Sequence, residues 1–282
     1  MDKSLFSYFL ILIFCLSFGT LTNFHVNEQK NVTSGLSSIS DTNNKNIFEK
    51  SYQTSSYLSS IRDIVGINQL LNLGYNGSGV TVGIIDSGVN SNLSPFSNRI
   101  LDSKSFVSTI YGYNTNITST DDVDDHGTRV ASLIMADSIG MAPAANLVSA
   151  KLFNGATSAH PGFSGEESSS AVAAAIKWLV DVKNVSIINL SIGQYNNLAR
   201  EGREYWIDKY SLEKNVIFTI SAGNEGYYGY NGGSTGNPAI SLQAITVGAS
   251  GDNSGLAYFS SIGPRYDNAF KPDVVAPGVS VN

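Results

Sequence analysis

The stretch "VTVGIIDSGVN" (Val80–Asn90) is an apolar run that stops abruptly at Asp-Ser-Gly. A short apolar run bounded by turn residues reads as a buried strand. A strand apolar on both faces belongs in a parallel sheet with helices packed on each side. Asp86 then stands at the carboxyl mouth of that strand, where two readings compete. It caps the following turn or helix, or it is a working carboxylate at the edge where open α/β sheets collect their ligands.

Working outward, the pattern repeats. On the N-terminal side, "IRDIVGINQLLNLG" places Ile61, Ile64, Ile67, Leu70 and Leu71 on one face of a helix, with Gly74 as its stop and "YNGSG" as a turn before the strand. On the other side, "HGTRVASLIMA" reads as a helix and "NLVSAKLF" as a strand. "SSSAVAAAIKWLVDVKN" reads as a serine-capped helix with Val172, Ile176 and Leu179 inward. "VSIINLS", "VIFTISAGN" and "AITVGAS" are further strands, with a polar helix at about Arg200–Asn215 between the first two. The predicted class is α/β: a mostly parallel sheet with helices on both faces, without internal repeats. Asp86, Ser191 and Asn224 each close an apolar strand, so all three converge on one edge.

The ends of the 282 residues differ from this region. Lys3 followed by the apolar run Leu5–Phe18, then Ser17-Phe18-Gly19, predicts a leader over 1–22, cleaved near Gly19; an uncleaved anchor is the alternative. Residues 23–59 are rich in Ser, Asn and Thr and read as a polar linker or short pro-segment. The ordered domain is predicted over 60–282. The leader implies a secreted or cell-surface protein, with membrane contact only if it stays uncleaved. The sole cysteine is Cys15, which excludes an intramolecular disulfide or a cysteine metal cluster. A net charge of -6 argues against nucleic-acid partners.

His126 opens a predicted helix, and only His25 and His160 share its residue type. A carboxylate beside an imidazole orients the ring, fixes its tautomer and stabilises its protonated form, so the ring serves as general base for a hydroxyl. Asn224, at a strand end before a glycine-containing loop, suits an amide donor to an oxygen that gains negative charge. Each residue alone also fits a bland role: an exposed helix-start histidine, an Asn-Glu-Gly turn.

Taken in order, "GSGVTVGIIDSGV", "DHGTRVAS", "INLSIG", "SAGNEG", "NPAISLQAITVGAS", "FSSIGP" and "KPDVVAPG" resemble the signature blocks of the subtilisin-like serine proteases, the subtilases, over about residues 60–282. The order Asp then His is also that of subtilisin. The resemblance implies a three-layer serine endopeptidase, a monomer acting on proteins or peptides. Asp86 is then the triad aspartate, His126 the general base and Asn224 the oxyanion donor. An extended substrate pairs with the "LSIG" segment, where Ser191, Ile192 and Gly193 line the S1 and S4 side and Glu225 lies near the S1 rim. The resemblance also predicts a cis bond before Pro238. No cofactor is required; Ca²⁺ is a structural candidate for the oxygen-rich stretch Asn114–Asp125, against a solvated loop.

The family's nucleophile block, similar to Gly-Thr-Ser-Met-Ala, lies downstream of Ala-Pro-Gly. Here Ala276-Pro277-Gly278 is followed by four residues without that block, so the chain is expected to be truncated before its serine. Ser260 and Ser261 belong to "FSSIGP" and are not substitutes. Without the helix that carries the serine, the strands around Ile187–Leu190 and Ile217–Ile220 are expected to be exposed. Two other readings are a catalytically inactive subtilase-fold binding protein and a dinucleotide-binding fold. Against the latter, the glycine-rich "GYNGSG" precedes its strand instead of following it.

Overall fold

The computed structural model describes residues 61–96, 98–107, 118–123, 125–153, 169–193, 202–227, 233–251 and 255–279. The predicted leader and linker lie outside them.

Among the described residues, seven strands form one sheet in the order β2-β3-β1-β4-β5-β6-β7. They are β1 (Thr81–Asp86), β2 (Ile100–Ser105), β3 (Asn146–Lys151), β4 (Ile187–Leu190), β5 (Ile217–Ser221), β6 (Ile245–Ser250) and β7 (Val274–Pro277). Every pairing between them is parallel. β1 lies centrally between β3 and β4, which explains why it is apolar on both faces. The α/β class and the sandwiching by helices follow the expectation.

The helices among the described residues include α1 (Ile67–Asn72), α2 (His126–Met135), α3 (Ser169–Lys177, continued by a π turn over Trp178–Val182) and α4 (Arg203–Lys214). One layer sets α3 and α4 against Ile85, Val148, Ile188, Leu190, Phe218 and Ile220. Val172, Ile176 and Leu179 are fully buried there, as their spacing predicts. On the opposite face, Val130, Ala131, Ile134 and Met135 of α2 cover Val82, Ile84, Leu147 and Ile187. α1 packs beside α2 through Ile67, Leu133, Met141, Val247 and Ala276.

Three expectations need correction. The helix expected from Ile61 onward is broken: residues 61–64 are helical, Gly66 takes φ 75°, and α1 starts at Ile67. The left-handed residue turns the chain, so Ile64 leaves the shared face and is 72% exposed. The helix does stop at Gly74, where Gly74 N–H bonds Leu71 O and Tyr75 N–H bonds Leu70 O. Second, β4 and β5 are not bare. Ile187, Ile188, Leu190, Phe218 and Ile220 have no exposure, because α2 on one face and α3 and α4 on the other already cover them. Third, β2 and β7 were not anticipated. β2 reads "ILDSKS", too polar for a strand signal, and β7 is four residues long. Both are edge strands, where the burial that produces an apolar run is incomplete. The Asn237–Pro238 bond is cis, as anticipated; the bonds before Pro264 and Pro272 are also cis.

Candidate active site

Asp86 ends β1, fully buried. Its backbone stays in the ladder, in register with Lys151 of β3, and its carbonyl accepts from Leu152 N–H at 2.7 Å. The carboxylate Oδ1 meets His126 Nδ1 at 2.7 Å. The same oxygen accepts from Ser87 N–H at 2.7 Å and lies 3.2 Å from the Ser87 hydroxyl. Burial pushes the Asp86 pKa up; the His126 charge and hydrogen bond, then the Ser87 amide and the nearby Ser87 hydroxyl, pull the other way without reversing it. The His126 side chain keeps 29% of its surface open. With Nδ1–H donated to a buried carboxylate, Nε2 is the basic nitrogen of the neutral ring.

His126 is the first residue of α2, as its sequence context predicts. The first amides of a helix need acceptors from outside it. Asp125, at the cap position, supplies no side-chain bond. Gly127 N–H instead donates to Ser87 Oγ at 2.9 Å, and Thr128 N–H donates to Asp122 Oδ2 at 2.7 Å. Thr128 Oγ1–H also donates to Asp122 Oδ2, at 2.5 Å, while Thr128 Oγ1 accepts from Asn90 N–H at 3.0 Å. The helix that carries the histidine is thus sewn to the loop after β1. Gly88 makes this possible: at φ 109°, a Cβ there would stand 2.6 Å from Thr120 O.

At the carboxyl edge of the neighbouring strands sit the other expected residues. Asn224 follows β5, partly buried, in a loop braced by the "FSSIGP" block. Ser261 N–H donates to Gly223 O and Glu225 N–H donates to Ser261 Oγ, each at 3.0 Å, so Ser261 grips both neighbours of Asn224. Gly226 N–H donates to Phe259 O at 2.8 Å. Ser191 follows β4, and its hydroxyl accepts from the buried Asn189 amide at 3.0 Å. A Cβ on the exposed Gly193 would be 4.0 Å from Asn237 O and 4.0 Å from Gly223 Cα, so these three segments lie side by side. Ile192 is turned into the core, leaving its backbone as the part able to meet a ligand. Glu225 is exposed.

Sequence reasoning placed Asp86, Ser191 and Asn224 at the carboxyl ends of strands and His126 at a helix start, and these are the positions they take in the fold; Ile192, Gly193 and Glu225 follow directly in the loops after β4 and β5. It missed Ser87, Asp122, Thr128, Lys151 and Ser261. Their signal was position: Ser87 sits inside "DSG", Asp122 lies four before His126, and Lys151 ends an otherwise apolar strand. Of the stretch offered for Ca²⁺, residues 114–117 and Asp124 lie outside the described residues, and Asp122 is engaged by Thr128 and Ser87. Among the described residues no group of three or more His, Cys, Asp or Glu is placed to hold a metal.

A family model described as the subtilase family matches residues 77–282. Subtilisin DY of Bacillus licheniformis is 32% identical over 213 residues, covering 74% of this chain and 68% of the relative. Subtilisin NAT of Bacillus subtilis subsp. natto is 32% identical over 213 residues, covering 74% and 49%. A crystal structure of a cold adapted subtilisin-like serine proteinase aligns with a TM-score of 0.55 at 25% identity, covering 72% of this chain and 64% of that one. The chain thus spans between about half and two thirds of the length of these relatives.

Proposed function

The chain belongs to the subtilase family, and on that premise we propose that it supplies the acid–base and oxyanion parts of a secreted serine endopeptidase. The observation that carries this reading is the 2.7 Å contact between buried Asp86 and the first residue of α2, His126. In this reading His126 Nε2 removes the proton of a serine hydroxyl as it attacks the peptide carbonyl, then returns that proton to the leaving amine. Asp86 holds the ring in the required tautomer and stabilises the imidazolium. Asn224 donates to the oxyanion of the tetrahedral intermediate. None of the serines in these 282 residues is assigned as the attacking one, because the family's nucleophile block is not among them. An extended protein or peptide substrate runs along Ser191–Gly193, using the backbone of Ile192, with Glu225 beside the side chain it places in S1. The polar segment 23–59 links an export leader to the domain.

A fluorophosphonate probe, which reacts with an activated serine, tests the assignment. The 282-residue chain should stay unlabelled, and a polypeptide extended through the next serine block should label. Labelling of the 282-residue chain at one of its own serines would sink the assignment of the nucleophile. A folded extended chain that keeps its serine yet does not label would sink the enzymatic reading in favour of an inactive binding protein.

A further inference from the structure

The acidic run before His126 was offered to a metal or to solvent, yet the fold spends one of its carboxylates on protein donors beside the acid–base pair. We propose that Asp122 is a positioning residue for the Asp86–His126 pair, acting through the hydroxyl of Ser87.

A serine hydroxyl has one proton to give. Two carboxylate oxygens compete for it: Asp122 Oδ1 at 2.9 Å and Asp86 Oδ1 at 3.2 Å. The shorter contact goes to Asp122. The hydroxyl oxygen meanwhile accepts from Gly127 N–H at 2.9 Å, which fixes the rotor from the other side. Asp86 Oδ1 is then left with two strong donors, Ser87 N–H and His126 Nδ1–H, both at 2.7 Å. A third donor on that oxygen would share the lone pairs that hold the imidazole and lengthen the bond to His126.

Asp122 is itself anchored where it can act. Its other oxygen is held by the amide and hydroxyl of Thr128, two residues beyond the histidine. The adjacent Asp121 carbonyl accepts from the ammonium of Lys151, which is fully buried and in register with Asp86. One carboxylate thereby sets the start of the histidine helix and draws the Ser87 proton away from the aspartate. The proposal rests on reading Asp86 and His126 as orienter and base. Its test observes that pair without a nucleophile, so it and the labelling test can fail separately.

The test uses the ¹⁵N-labelled 282-residue chain and the low-field Nδ1–H resonance of His126, assigned by its loss in His126→Gln. Asp122→Asn should move the resonance upfield and speed its exchange with water while the backbone amide spectrum stays native. In a Ser87→Ala background the same substitution should leave the resonance in place, because the transmitting hydroxyl is gone. An equal shift in both backgrounds, or none in a folded Asp122→Asn chain, overturns the proposal. Should Asp122→Asn fail to fold, Ser87→Ala alone decides. A resonance close to the parent's supports a hydroxyl already committed to Asp122, and a downfield move, marking a third donor removed from Asp86, overturns it.

Discussion

Asp86 combines a charge with complete burial, and the two act against each other. Burial raises its pKa above the unfolded value of about 3.9. The sign follows: a raised carboxyl contributes stability when protonated, fully present below the unfolded pKa and lost as pH rises through the folded one. Asp86→Asn should therefore melt no lower than the parent at neutral pH, and any advantage should vanish as pH falls below about 4. Thermal melts across pH check this; a variant that melts lower at neutral pH would mean that the His126 and Ser87 bonds outweigh burial. In a polypeptide extended through a serine block, the proposed activity should fall by about 10⁴ with the same substitution, since the amide permits the wrong tautomer. Asn224→Ala should cost about 10²–10³ in kcat with KM little changed, because its bond strengthens only in the transition state. Steady-state kinetics that show a pure KM effect would move Asn224 to ground-state binding.

At the scale of elements, the junction of β1 and α2 decides whether the site forms. A Cβ on Gly127 would stand 2.1 Å from Gly88 O and 3.0 Å from Asp86 Oδ1. Backbone sets the first of these limits, so side-chain adjustment cannot relieve it. Gly127→Ala should destabilise the domain by about 1–3 kcal/mol, the usual cost of overpacking, and should disturb the His126 environment as well. Urea unfolding measures the first effect and the imidazole resonance the second. An unchanged midpoint would mean that the helix start can slide away from the β1 loop.

On the scale of the whole molecule, the sheet is held together from both ends of the described chain. Ile61 and Ile67 meet Val247 and Ala276 beside α2, so the segment before β1 packs under the last two strands. Ile67 has no exposure, and Ile67→Ala should cost about 2–5 kcal/mol. The loss should appear in one cooperative transition seen alike by far-UV circular dichroism and tyrosine fluorescence. Two separated transitions would show that α1 unfolds independently of the sheet.

The sequence by itself determined the class of fold and the edge on which Asp86, Ser191 and Asn224 meet. Periodicity is a local property, and β1, β4, β5 and β6 are apolar because they are central strands. Asp86, Ser191 and Asn224 were legible because each polar residue interrupts such a run. The edge strands β2 and β7 were not, since partial burial leaves no apolar pattern. Nor did spacing disclose the break at Gly66, which depends on a left-handed backbone angle. Tertiary structure alone decided which side chains serve Asp86 and His126. Ser87, Asp122 and Thr128 are ordinary polar residues on their own. They acquire a role because Gly88 and Gly127 let two backbones approach so closely that the helix amides must find acceptors across the gap. Hydrogen-bond partners chosen by such an approach are set by distance in space, and one-dimensional spacing does not encode that distance.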